Sequence, residues 1–286
     1  MIREADFTTL WMSSCIAGLV SGSTTNVFDV IKTLMMNAGM NSPLVDGKVK
    51  QKVSYIAFVR NIGKEQGKSV YFRGIGYGAA TSMARSGTLL PLYEFFQRSL
   101  LKLSTTTALS SITGIGYILP LLSGVIAKAV AQTVSFPFEY MATLRQANIG
   151  AANKSLKNGF GSYLLTGLAA SAGFWSIHEN VYGVFKKENL SDRNAYILSA
   201  FLSSIISSVV AYPFDLIKTW RISFPERFTS RSSLQVGRDI VQSHGWHALY
   251  SGLLPRIFRG TTGNTIFFMV YTRSVEVMRS NQKNTL

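Results

Sequence analysis

The stretch Pro213-Phe214-Asp215-Leu216-Ile217-Lys218-Thr219 closes a long apolar run, and the chain carries its pattern three times. Val27-Phe28-Asp29-Val30-Ile31-Lys32-Thr33 and Pro137-Phe138-Glu139-Tyr140-Met141-Ala142-Thr143 follow the same frame, P-F-[DE]-x-x-K-T, each at the end of its own apolar run. An acid and a base three positions apart share one face of a helix. A pattern recurring at equivalent places marks an internal repeat, and repeats decide architecture before any single motif does.

Six stretches surround these frames, each long enough or nearly so to cross a bilayer: 10–36, 71–100, 112–144, 163–185, 197–222 and 253–278. Crossing takes roughly 20 mostly apolar residues. None is a pure Leu/Ile/Val run; each carries Ser, Thr, Gly and at least one ionisable residue. Helices of that kind suit a bundle around a wet cavity better than a lipid anchor. Upstream of two frames, small residues recur every four positions, at Ser14, Gly18 and Gly22 and at Ala200, Ser204 and Ser208. Such spacing lets helices in lipid approach closely.

A second motif lies downstream. Glu65-Gln66-Gly67 leads to Tyr71-Phe72-Arg73-Gly74, and His244-Gly245-Trp246 leads to Leu249-Tyr250-Ser251-Gly252, with a further apolar helix opening after each. The chain therefore reads as three units, 1–105, 106–190 and 191–286. Each is a helix, a polar loop with a short amphipathic helix, and a second helix. The middle unit is cut short: Glu139 to Tyr182 spans 43 positions, against 64 from Asp29 to Tyr93 and 56 from Asp215 to Tyr271. Its amphipathic helix is the expected loss, and 148–161, rich in Gly, Asn and Ala, reads as a loop.

Composition agrees with a membrane protein that has a polar interior. Only 15% of the 286 residues are charged, against about 25% in ordinary soluble domains. A mean hydropathy of +0.19 is too apolar for a disordered basic tail and low for a simple lipid-facing bundle. The net charge of +15, from 29 basic and 14 acidic residues, invites a nucleic-acid reading. However, the bases are scattered among loops and helices rather than set in one stripe. Cys15 is alone, so no intrachain disulfide framework exists. The three histidines, His178, His244 and His247, do not supply a usual zinc set with it. No nucleophile–base pair or Walker-type loop points to an enzyme. Met1 to Asp6 is neither a secretory signal nor an Arg/Ser-rich transit segment, so any organelle address is expected inside the mature chain.

The repeats and their motifs resemble the mitochondrial carrier family, over essentially the whole chain. Its signature is P-x-[DE]-x-x-[KR]-x-[KR], followed later by [DE]-G-x-x-x-x-[FYW]-[KR]-G; the third repeat matches the first half at Pro213, Asp215 and Lys218. The resemblance implies an all-α membrane protein. Six transmembrane helices, as three pseudo-symmetric repeats of two helices each, would surround a central cavity that opens alternately to the two sides of the inner mitochondrial membrane. It implies a multi-pass monomer there, with no cofactor or metal, touching an anionic lipid such as cardiolipin.

In that family the frame residues form a gate on the matrix side. Here they are Asp29, Lys32, Glu139, Asp215 and Lys218, with Gln146 beneath them and Pro137 and Pro213 bending their helices. If the three frame helices touch in chain order, Lys32 faces Glu139 and Lys218 faces Asp29. Ala142 then breaks the third link and leaves Asp215 without its base. Val27 stands where the first proline belongs. The opposite, cytosolic gate keeps only Glu94 and Lys186 as a possible pair, so the cytosol-open state is expected at rest.

Substrate contacts carried over by position are Thr81, seven after Gly74; Arg259, seven after Gly252; and Ala170-Ser171, aligned through Tyr182 and Tyr93. Arg85 lies one turn beyond Thr81 and Arg256 one turn before Arg259. Lys128 and Gln132 occupy the register of Gly18 and Gly22. Charges inside a membrane are costly and mark function. Arg85, Lys128 and Arg259 show no acid at the same depth in the sequence, and an unpaired positive cluster in a low-dielectric cavity favours an anion. The resemblance is nearest to tricarboxylate carriers, so the expectation is exchange of a small organic anion, a di- or tricarboxylate such as citrate. The alternatives are a nucleotide or other phosphorylated anion, or a transport-inactive carrier fold with a structural role.

Overall fold

The helices turn their apolar side chains outward. In the computed structural model, α4 (Ile115–Gln146) exposes Leu122, Ile126, Val130 and Val134 along one stripe, while Ser123, Ala127, Ala131 and Ser135 are buried. Likewise α6 (Asp192–Ser223) exposes Leu198, Leu202, Ile206 and Val210 and buries Ser199, Ser203, Ser207 and Ala211. A helix folding in water would reverse that arrangement. The structure describes residues 7–41, 44–45, 48–49, 55–106, 115–150, 157, 159–188, 192–228 and 231–284.

Six helices are long: α1 (Phe7–Asn41), α3 (Ile75–Thr106), α4, α5 (Phe160–Lys187), α6 and α9 (Leu253–Asn284), of 35, 32, 32, 28, 32 and 32 residues. At 1.5 Å per residue even 28 residues reach about 42 Å, more than a hydrocarbon core of about 30 Å. By composition alone, one described segment is apolar enough to cross, Phe201–Ser223. Between the long helices lie α2 (Tyr55–Glu65), α7 (Pro225–Phe228) and α8 (Ser233–His244). A two-residue antiparallel pair, β1 (Leu44–Val45) with β2 (Lys48–Val49), sets Leu44 opposite Val49. The fold is otherwise helical among the described residues.

The downstream motif takes the same shape in both of its copies. Gly67 and Gly245, both at φ 77°, each open a 3₁₀ turn, Lys68–Phe72 and Trp246–Tyr250. Gly74 at φ 71° and Gly252 at φ 88° then start α3 and α9. The expected segment 71–100 therefore begins too early: Tyr71 belongs to the turn, and its hydroxyl donates to the Val59 carbonyl. Ser232 caps α8 with a reciprocal capping box to Gln235.

Each glycine that opens a long helix sits against the end of another. A Cβ on Gly74 would lie 3.2 Å from the Ala142 carbonyl oxygen of α4, on Gly159 (φ 87°) 3.3 Å from the Lys218 carbonyl oxygen of α6, and on Gly252 3.2 Å from the Lys32 carbonyl oxygen of α1. The helices pack most extensively as α1 on α3, α3 on α4, α5 on α6 and α9 on α1. The α1–α3 contact uses the small-residue spacing: a Cβ on Gly18 would fall 2.6 Å from the Ser82 carbonyl oxygen, and Ser86 donates to the Ser14 carbonyl at 2.9 Å.

In the middle third, no helix occurs among the described residues between Gln146 and Phe160, and α5 starts at Phe160 rather than after 161. Residues 151–156 and 158 lie outside the described set. So do the boundary at 190/191 and the first six residues. The boundary at 105/106 falls at the C-terminal end of α3.

Candidate functional site

The three repeated frames meet. They lie in the last turns of α1, α4 and α6, and Asp29, Lys32, Thr33, Glu139, Ala142, Thr143, Gln146, Lys218 and Thr219 line one cavity together with Gly78, Thr81 and Arg259. Its volume is about 10 Å³, room for roughly one water, so the helices are closed at this end.

Ion pairs hold the closure. The Lys218 Nζ donates to Glu139 Oε1 at 2.6 Å and lies 2.8 Å from Asp215 Oδ1 on its own helix. Lys32 Nζ donates to Asp215 Oδ2 at 3.2 Å and lies 3.8 Å from Asp29. The side chains of Asp215 and Lys218 are each 3% exposed, so their charges are tolerable only in company. The ring runs in the opposite sense to the expected one. Lys32 reaches Asp215 rather than Glu139, and Lys218 reaches Glu139 rather than Asp29. The base that Ala142 lacks is thus missing from Asp29, and Asp215 is the best supplied acid.

Two arginines of α9 join the ring. Arg256 bonds to Asp215 Oδ2, and Arg259 Nε donates to Asp29 Oδ2 at 2.8 Å. Arg259 therefore has the acidic partner that the sequence did not reveal. A straight count of positions along each helix gives depth but not which acid on another helix comes into reach. Arg256 also stands 5.8 Å from the centre of the Tyr212 ring, and Lys218 stands 5.4 Å from that of Tyr163.

Arg85 and Lys128 are different. Neither forms a hydrogen bond or ion pair among the described residues, and Lys128 lies within electrostatic range of Arg85, Arg256 and Arg259. Thr81, one turn before Arg85, is buried and donates to the Tyr77 carbonyl. Ala170 and Ser171 are half-buried about three turns into α5 and do not line the ring cavity. Gln132 braces α4 against α5, donating to the Tyr163 carbonyl at 2.8 Å.

Gln146 lines the same cavity and ties α4 to α1: it accepts from Thr33 Oγ1 at 3.0 Å and donates to Asn26 Oδ1 at 3.4 Å. Asn26 in turn donates to the Tyr71 and Arg73 carbonyls. Sequence reasoning passed over Asn26 and the three frame threonines. The threonines were signalled by their recurrence in the frame, and Asn26 by its position, where the other two copies carry Phe136 and Tyr212. Pro137 and Pro213 lie within α4 and α6.

At the far end the structure does not join Glu94 to Lys186. Glu94 pairs with Arg98 one turn along α3, at 3.5 Å, and among the described residues α3 and α5 are not one of the extensively packed helix pairs. Among the described residues no group of three or more His, Cys, Asp or Glu could hold a metal ion.

A family model described as mitochondrial carrier protein matches residues 3–104 and 193–282. The unmatched stretch holds α4 and α5, the third that departs most from the repeat. The chain is 28% identical over 178 residues to the mitochondrial glutathione transporter of Danio rerio, covering 53% of this chain and 50% of that one. It is 22% identical to mitochondrial substrate carrier family protein H of Dictyostelium discoideum, covering 87% and 84%. Against the mitochondrial adenyl nucleotide antiporter of Oryctolagus cuniculus it is 25% identical, covering 94% of this chain and 58% of the relative. The chain thus spans about half the length of two of these relatives and most of the third.

Proposed function

The chain belongs to the mitochondrial carrier family, and from that premise we propose that it moves a small organic anion across the inner membrane by alternating access. Members of the family are multi-pass transporters of the mitochondrial inner membrane, not enzymes. The observation that carries the anion reading is the pair Arg85 and Lys128. They stand uncommitted over a closed floor, beside two arginines already held by acids. Half-buried cations without an acidic partner bind a carboxylate or phosphate in place of the water they lose.

On this reading the six long helices all span the bilayer, as three repeats at 1–105, 106–190 and 191–286. The cyclic seating of Gly74 on α4, Gly159 on α6 and Gly252 on α1 supports that symmetry. On the same reading the floor ring is the matrix gate, and its ion pairs are what hold it closed. Thr81, Arg85, Lys128, Ala170, Ser171, Arg256 and Arg259 face the substrate. When the cycle reverses, Glu94 leaves Arg98 and pairs with Lys186. A groove of about 510 Å³ between the start of α3 and the end of α4, lined by Phe72, Tyr77, Phe138 and Arg145 among others, supports contact with an anionic lipid such as cardiolipin. The working unit is a monomer.

The substrate proposed is a di- or tricarboxylate such as citrate, because a base one turn beyond the first contact and Arg at the third suit several carboxylates. A nucleotide is the second reading, favoured by the similarity to an adenyl nucleotide antiporter over 94% of the chain. Purified protein in liposomes, loaded with and offered citrate, malate or ATP, tests both. Counter-exchange of citrate or malate that Arg85→Ala and Lys128→Ala abolish supports the first. Exchange of ATP alone supports the second. No exchange of any anion returns the chain to a structural role.

A further inference from the structure

We propose that Arg259 is the third base of the floor ring, supplied by α9 in place of the one Ala142 cannot provide, and that a bound anion opens the floor by drawing Arg259 off Asp29. This rests on the anion-carrier reading above.

The three acids occupy the same place in the repeated frame. Glu139 takes Lys218 from α6, and Asp215 takes Lys32 from α1. The same rotation would give Asp29 a base from α4, but the position holds Ala142, buried at 3% exposure. Lys32 sits 3.8 Å from Asp29, and its shorter contact goes to Asp215. Arg259, reaching across from α9 at 2.8 Å, is therefore the close cross-helix partner of Asp29 among the described residues. The seam between α1 and α4, where the missing link belongs, is closed by the neutral bonds of Gln146 to Thr33 and Asn26 instead.

Such a replacement changes how the gate answers to ligand. Lys32 and Lys218 are locked between carboxylates of the floor. Arg259 belongs both to the floor and to the group of cations that includes Lys128, and it shares α9 with Arg256. A carboxylate or phosphate entering beside Lys128 and Arg85 competes with Asp29 for the same guanidinium, which can hold only one of them in full bidentate contact. Ligand binding and release of the α1–α9 link become a single event, so the ligand's preference for the open floor shifts the equilibrium.

Four forms of the detergent-purified full chain test this: wild type, Arg259→Gln, Ala142→Lys and the double variant. Thermal unfolding is read without ligand and with citrate or ATP. The expected result is a lower ligand-free Tm for Arg259→Gln, recovered in the double variant as the new base reaches Asp29. The anion-induced rise in Tm is expected to stay absent in the double variant, which separates anion binding from mere structural support. Ala142→Lys alone, by competing for Asp29, should enlarge the anion-induced rise. An unchanged ligand-free Tm in Arg259→Gln, or an anion response that returns in the double variant, overturns the proposal. If no anion shifts the wild type while the ligand-free loss and recovery hold, the gate assignment stands but the trigger role falls with the anion reading.

Discussion

Asp215 holds three cations on one carboxylate, Lys32 and Arg256 through Oδ2 and Lys218 through Oδ1. With its side chain 3% exposed, removing its charge leaves those cations without their common anion. Breaking a buried pair by deleting one partner costs about 3–5 kcal/mol. Asp215→Asn is therefore expected to lower the Tm of the purified protein by more than Asp29→Asn, whose carboxylate is bonded by Arg259 and only distantly by Lys32. An equal or smaller loss at Asp215 would show that the floor does not centre there. The sequence made these acids and bases legible, because they recur in one frame and sit where charge is costly. It also made Arg85, Lys128, Arg256 and Arg259 legible as cations inside apolar runs. It could not supply their partners. Spacing along a helix states depth and face, whereas the sense in which three helices pass their side chains round a ring depends on how they pack, so Lys32 and Lys218 each reached the acid of the other neighbour.

At the scale of elements, α1 and α3 are pressed together at glycine. A Cβ on Gly18 would come 2.0 Å from Ser86 Oγ and 2.6 Å from the Ser82 carbonyl oxygen, and backbone cannot step aside as a side-chain end can. Gly18→Val should lose about 1–3 kcal/mol, the usual cost of overpacking. Gly183→Ala in α5, which meets nothing within 4 Å, should be neutral or gain about 0.5–1 kcal/mol from helix propensity. Unfolding of both variants by heat checks the contrast; similar losses in the two would deny the close α1–α3 contact. That contact was readable as small residues every four positions. The start of α3 was not: the apolar run passes unbroken through the 3₁₀ turn, and only Gly74, with its left-handed backbone, marks the true beginning.

The short helix α8 carries a separate test. The His244 ring lies edge-on to Trp220 at 5.9 Å, and burial, then the charge of Arg227, hold its pKa below the usual 6.5. The neutral ring is thus favoured by folding. The stability it contributes is present above the unfolded value near 6.5 and is lost as pH falls through the lower folded one. Tm measured between pH 7.5 and 5 should therefore drop more for the wild type than for His244→Gln. Parallel curves would remove His244 as a source of that dependence.

For the whole molecule, the proposed transport cycle makes the closed floor one of its states, and the side away from the ring is then the open one. The carrier reading makes that the cytosolic side. Ser171, half-buried on α5, then faces water from the cytosol, while Thr33, buried within the ring cavity, faces neither side. In a Cys15→Ser background, Ser171→Cys should react with a membrane-impermeant thiol reagent added to the cytosolic face of reconstituted vesicles, and Thr33→Cys should stay protected from both faces. Citrate at a concentration that raises the Tm should slow the reaction at Ser171→Cys, because the anion occupies the same water-filled space. Faster modification of Ser171→Cys from the matrix face would mean that the ring-closed state is not the resting one. Ready modification of Thr33→Cys without ligand would mean that seven ion-pairing side chains at one end of the bundle do not suffice to keep it shut.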